Sequence, residues 1–301
     1  MHTTVIAIGY QEHWWDILTS AFMRNALIGG TLVALAAGLI GYFTVVRNSA
    51  FAAHALAHIG FPGATGAVLL GLPVTLGLAV FCIGGALVIG ALGKRAEDRE
   101  VATGTVLAAA TGLGLFFSSL ATKGSNIVTN VLFGNLLAVT QQQLLVFAVA
   151  VVVLAAATAF VYRPLLFASI NAEVAEAKGV PVRLLSVIFM VMLGLAITMA
   201  VQAVGTLLLF ALVVTPAATA IMLTARPGVA MALSTALSVS SVWVGLTLSA
   251  MFNLPPSFVI VTIVTVIWLL IWAVVERTDG GRRAPGAAQG VVSAHDEAPI
   301  G

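Results

Sequence analysis

Three stretches of this chain are almost free of charge, and they limit what it can fold into. No Lys, Arg, Asp or Glu occurs between Arg47 and Lys94. Only Lys123 is charged between Val101 and Tyr162, and only Arg226 between Leu184 and Val275. A hydrocarbon core about 30 Å thick is crossed by roughly 20 apolar residues in a helix, which satisfies its own backbone groups where no water can. An ordinary soluble domain has about a quarter of its residues charged; here 8% are charged and 60% are hydrophobic. The chain reads as an all-α polytopic membrane protein.

Candidate spans are 22–46, 52–70, 74–92, 101–120, 143–162, 184–201, 204–223, 229–251 and 257–275, nine in all, or eight if the second or sixth is partial. Their connections alternate in charge. Arg47 follows the first span, then Lys94, Arg95 and Arg99 the third. Arg163, Lys178 and Arg183 follow the fifth, Arg226 the seventh, and Arg277, Arg282 and Arg283 the ninth. On the other side only Arg24 and Lys123 are basic. The positive-inside rule then predicts an amino terminus outside and a carboxyl terminus in the cytoplasm. Residues 1–21, with Trp14 and Trp15, read as an interfacial segment rather than a cleaved signal peptide. Residues 22–276 form the membrane domain. Residues 277–301, rich in Gly, Pro and Ala, read as a disordered cytoplasmic tail. Cys82 is a single thiol in an apolar run and reads as a packing residue.

Two connections carry more than charge. Residues 123–142 form a polar outer segment containing Phe133-Gly134-Asn135, long enough for a short or re-entrant helix. Residues 164–183 form the longest cytoplasmic connection. There Asn171 is placed to cap a helix, Glu173 and Glu176 lie early, Lys178 late, and Gly179 and Pro181 stop it. A short surface helix is expected.

What is missing narrows the function. No span has a carboxylate near its centre, where ion-coupled carriers keep the ionisable groups of their pathway. No Gly-rich loop ending in Gly-Lys-Ser/Thr is present. If transport is active, its energy enters through a partner.

His54 and His58 are the exception inside a span. At i and i+4 they share a helix face, with Cβ atoms about 5–6 Å apart, and neutral imidazole is a common ligand for zinc. Spacing alone leaves open a second reading, two neutral histidines hydrogen-bonded to neighbouring helices. Haem ligation fits less well, because its axial histidines approach from opposite faces. One helix supplies half of a four-coordinate site; the remainder would come from another helix, a second chain or water. Just beyond lie Pro62 and Gly63, which would interrupt or kink the helix. Thr215 and Pro216 put a second proline inside a span, among small residues that favour close packing.

These residues carry a resemblance. The order Arg47, His54-Ala-Leu-Ala-His58, Pro62-Gly63, then Leu132-Phe-Gly-Asn-Leu-Leu-Ala-Val139, then Glu173 with Ala177-Lys-Gly-Val-Pro181, then Gln202-Ala-Val-Gly-Thr206 and Thr215-Pro-Ala-Ala-Thr219 resembles the permease subunits of bacterial zinc/manganese ABC importers. It covers roughly residues 22–272. The resemblance implies a permease dimer in the bacterial inner membrane, without enzyme activity or a cofactor of its own. Two cytoplasmic ATPase subunits would bind ATP, and an extracytoplasmic binding protein would deliver the metal; no nucleic acid is involved. It makes the Asn171–Gly179 segment a coupling helix that contacts the ATPase, and puts Phe133, Gly134 and Asn135 on the side of the binding protein or an outer gate.

One departure bears on the cargo. The family pattern Asp-Ala-x-Ser-His has His54 here in place of Asp and Ala57 in place of Ser. Exchanging a hard carboxylate for a borderline nitrogen favours zinc over manganese. The expected function is therefore zinc import through an ATP-driven complex. The alternatives are a secondary metal carrier or channel, a haem- or quinone-binding subunit, and a metal-chelate permease.

Overall fold

The computed structural model describes residue 11 and residues 14–92, 96–120, 131 and 133–280. Among them every regular element is a helix. They are α1 (Trp14–Thr19), α2 (Ala21–Val46), α3 (Ala50–Leu69), α4 (Val74–Leu92) and α5 (Ala96–Leu120). A 3₁₀ turn at Leu136–Ala138 leads to α6 (Gln141–Ile170), α7 (Ala172–Ala177) and α8 (Val182–Val204). Then come α9 (Thr206–Val213), α10 (Thr215–Leu223), α11 (Pro227–Phe252) and α12 (Pro256–Gly280).

Seven of these, α2, α4, α5, α6, α8, α11 and α12, are long and apolar enough to cross a membrane. The other two expected spans depart from that form. The 20 residues of α3 reach about 30 Å, but Ala, Gly and two histidines dilute its apolar character. The span expected at 204–223 is two helices, α9 and α10, that meet at Val214. Pro216 has no N–H for the carbonyl of Leu212. Ser238 Oγ on α11 lies 3.5 Å from that carbonyl and 3.0 Å from Ser234 O, so a neighbouring helix partly makes good the break.

Burial sets the centre of the bundle. Along α2, Ala26, Val33, Ala36, Ala37, Ile40 and Phe43 are all at most 1% exposed, and this helix packs against α6, α8 and α11. On one side of it α3 lies against α4 and α5, and α4 continues the layer onto α8. By contrast α5 and α12 keep most of their apolar side chains on the outside, where lipid covers them.

Helix ends follow local chemistry. Ser20 accepts from Met23 N at the start of α2. Thr140 and Gln143 form a reciprocal capping box at the start of α6. One expectation is corrected here. The fifth span was expected to end at Tyr162, but α6 continues through Pro164 to Ile170, which shortens the following connection. Beyond the proline, Leu165 and Ala168 are buried, and their packing outweighs the lost hydrogen bond. The polar connection expected at 123–142 is described only from residue 131 and 133 onward; Lys123 and the tail beyond 280 lie outside the described residues.

Candidate functional site

Between Ala52 and Gly60 every residue of α3 is buried except His54 and His58, which are half-exposed. Their ring centroids are 4.8 Å apart with planes at 68°. The face they share is thus the open face of an otherwise enclosed helix segment. The phenyl ring of Phe210 on α9 lies 6.5 Å from His54, edge-on, and is itself 41% exposed. Among the described residues neither imidazole has a hydrogen-bond partner, and no group of three or more His, Cys, Asp or Glu converges. A chelating pair with no third His, Cys, Asp or Glu beside it among the described residues holds a cation with help from water or another surface.

Pro62-Gly63 was expected to interrupt or kink the helix; the helix runs on through them. Pro62 and Gly63 are buried and lie within α3. Gly63 faces Gly77 on α4 so closely that neither could carry a Cβ. Thr215 and Pro216 open α10, with Pro216 buried and Thr219 Oγ1 donating to Thr215 O at 2.7 Å. Of the two prolines, only Pro216 marks a boundary between helices.

Phe133, Gly134 and Asn135 sit against the end of α8. Gly134 has φ +69°, and Gly205 beside it has φ +87°; a Cβ on Gly134 would meet the Val204–Gly205 peptide bond. Glycine is what lets these two chain reversals touch. Asn135 N donates to Gln202 O at 3.4 Å, and Ser257 Oγ to Phe133 O at 3.4 Å. Phe133 and Asn135 are exposed.

Here lies a polar cluster that sequence reading had not brought together. Thr75 Oγ1 of α4 donates to Gln202 Oε1 of α8 at 3.0 Å, Gln143 Nε2 of α6 reaches the same oxygen at 3.4 Å, and Gln202 Nε2 donates to Thr198 O at 3.3 Å. A cavity of about 230 Å³ beside it is lined by Val74, Leu78, Asn135, Gln143, Phe147 and Gln202 among others. Its lining residue Leu78 packs on Gly60, about 200° around α3 from His58 by helix geometry. The cavity and the two histidines are therefore on different sides of α3. The only sequence hint was a threonine and two glutamines at the ends of three apolar segments.

At the opposite end of α8, some 34 Å away by its 23 residues, the short α7 protrudes. Asn171 Oδ1 accepts from Val174 N at 3.0 Å, Gly179 turns the chain with φ +82°, and only Ala175 is buried. Asn171, Glu173, Glu176, Lys178 and Gly179 are all exposed. Arg47 ties this end together. Its Nη1 donates to Ser169 Oγ at 3.2 Å, its Nη2 to Ser186 Oγ at 2.7 Å, and its guanidinium lies 5.2 Å from the centre of the Phe189 ring.

A bundle of long apolar helices with a capped surface helix at one end defines a multi-pass membrane protein. The family follows from direct comparison. Residues 19–275 match the ABC 3 transport family, and the chain belongs to it. The manganese transport system membrane protein MntC of Listeria monocytogenes is 31% identical over 255 residues, covering 84% of this chain and 91% of that protein. The manganese import system permease protein ScaB of Streptococcus parasanguinis is 29% identical, covering 87% and 94%. The solved structure of PsaBC from Streptococcus pneumoniae in complex with Fab superposes with a TM-score of 0.77 at 27% identity, over 86% of this chain and 94% of that one.

Proposed function

We propose that this chain is the permease subunit of an ATP-driven importer of a divalent transition-metal ion, with zinc as the cargo ahead of manganese. The observation that carries the reading is the pair of half-exposed imidazoles, 4.8 Å apart on an otherwise buried stretch of α3. With a second permease copy or water completing the coordination, this pair is a transient station, which suits a protein that must release what it binds. Relatives named for manganese transport and manganese import support a metal cargo. The two nitrogen donors favour zinc within that class. In this reading the exposed α7 contacts a cytoplasmic ATPase dimer, and Phe133–Asn135 face an extracytoplasmic metal-binding protein. The amino terminus then lies outside, the carboxyl terminus in the cytoplasm.

The test is uptake of radioactive zinc and manganese into vesicles holding the chain with its ATPase. Zinc should accumulate only with ATP, and His54→Ala and His58→Ala should each abolish it while insertion and ATPase binding persist. Uptake by the chain without an ATPase would instead favour a secondary carrier, and normal uptake by the double variant would remove the histidine station.

A further inference from the structure

A groove of about 680 Å³ runs along the outer surface of the bundle where α2, α6 and α11 meet. Leu39 of α2 and Tyr162 of α6 form its walls, and Gly228, Met231, Ala236 and Val239 of α11 its length. From Gly228 to Val239 is eleven residues, about 16 Å of helix. That is half of a hydrocarbon core of about 30 Å, so the groove has the length of one leaflet. Its mouth lies at the amino-terminal end of α11, where the Tyr162 hydroxyl comes within 3.7 Å of a Cβ position on Gly228.

Two cations adjoin the lining residues of that end in the chain. Arg226 is the residue before α11 begins, Arg163 follows Tyr162 in the chain, and both are exposed. No Asp or Glu occurs anywhere in α2, α6 or α11. Long Arg side chains at a helix end lay their stems on apolar surface and hold the guanidinium at headgroup depth. An apolar channel one leaflet long with two guanidiniums at its headgroup end is complementary to a lipid with an anionic headgroup.

We propose that this groove binds one acyl chain of an anionic phospholipid whose phosphate is held by Arg163 and Arg226. Basic residues at the cytoplasmic ends of spans also serve topology, but that role needs no groove and selects no headgroup. The proposal is independent of which metal is carried.

The test uses the full chain with its ATPase, delipidated in detergent, then incubated with phosphatidylglycerol or phosphatidylcholine of the same acyl chains. Native mass spectrometry counts the lipid retained. About one phosphatidylglycerol per chain is expected, with a roughly ten- to thirtyfold preference over phosphatidylcholine from two basic contacts. Arg163→Gln with Arg226→Gln, both at exposed positions, should bring phosphatidylglycerol down to the phosphatidylcholine level. Ala236→Trp, which fills the groove, should lower retention of both lipids. Equal retention of the two lipids by the natural chain overturns the proposal, as does unchanged headgroup preference in the double Gln variant. Cross-linking of two chains through Val239→Cys in the groove also overturns it, because a second copy would then be the occupant.

Discussion

Gly63 of α3 and Gly77 of α4 meet backbone to backbone: a Cβ on either would fall within the van der Waals shell of the other's carbonyl oxygen. This crossing, one turn and a half beyond His58, sets the depth and rotation of α3 against α4. The face bearing the histidines is thereby turned away from α4.

Gly63→Val and Gly77→Val are therefore each expected to destabilise the bundle by about 1–3 kcal/mol through overpacking. Gly84, with open space around its Cβ position, provides the control, and Gly84→Ala should be close to neutral. Thermal unfolding in detergent measures the difference. Equal midpoints for Gly63→Val and Gly84→Ala would show that the two helices are free to separate.

At the other end of the bundle, Arg47 joins α2 to Ser169 of α6 and Ser186 of α8. Hydrogen bonds to a charged group contribute more than neutral ones, about 1.5–3 kcal/mol apiece. Arg47→Leu should cost about 2 kcal/mol, since Ser169 keeps its bond to Leu165 O at 2.6 Å. Arg47→Lys should recover only part of this, because one ammonium cannot reproduce a two-pronged fork. Unfolding midpoints that rank natural chain, Lys and Leu in that order are the expected result; a Leu variant as stable as the natural chain removes Arg47 as a tie.

Much of this architecture is legible in the sequence, for physical reasons that differ by element. Long charge-free runs mark helices such as α4 and α12 because lipid tolerates little else there. Asn171 and Gly179 marked α7, since capping is local chemistry between residues three apart. His54 and His58 were visible by the i, i+4 rule, but the Phe210 ring beside them was not, because it comes from a helix more than 150 positions away. The extension of α6 past Pro164 depended on Leu165 and Ala168 finding buried sites, which no local signal reports. The hydrogen bonds joining Thr75, Gln143 and Gln202 were hidden for the same reason: Thr75 and Gln143 read as the starts of spans and Gln202 as a loop residue, and nothing local reports that the three helix ends converge.

The α9–α10 junction offers a separation of stability from movement. Pro216→Ala restores an N–H that Leu212 O can accept, giving one continuous helix. The unfolding midpoint should hold or rise, while uptake falls if motion at Val214 accompanies transport. Ser238→Ala, which removes the hydroxyl near Leu212 O, should lower stability by about 1 kcal/mol. Full uptake by a stabilised Pro216→Ala variant would leave the junction a packing feature alone.

Metal choice provides the sharpest test of the histidine pair. In the proposed station both donors from one chain are imidazole nitrogens of borderline softness, and no carboxylate lies on α3. Replacing His54 by Asp supplies a hard, charged oxygen at the same i, i+4 spacing. Oxygen-rich sites suit manganese and nitrogen-rich sites suit zinc. His54→Asp should therefore retain transport but shift the ratio of manganese to zinc uptake upward, by roughly tenfold for each 1.4 kcal/mol of altered preference. His54→Ala, with no donor, should lose both metals. The measurement is competitive uptake of the two radioactive ions into vesicles at equal concentrations. If His54→Asp leaves the ratio unchanged while His54→Ala abolishes uptake, His54 supports the structure of the pathway without touching the ion. If His54→Ala transports normally, the imidazole pair is not the station, and the cargo must cross at another place in the bundle.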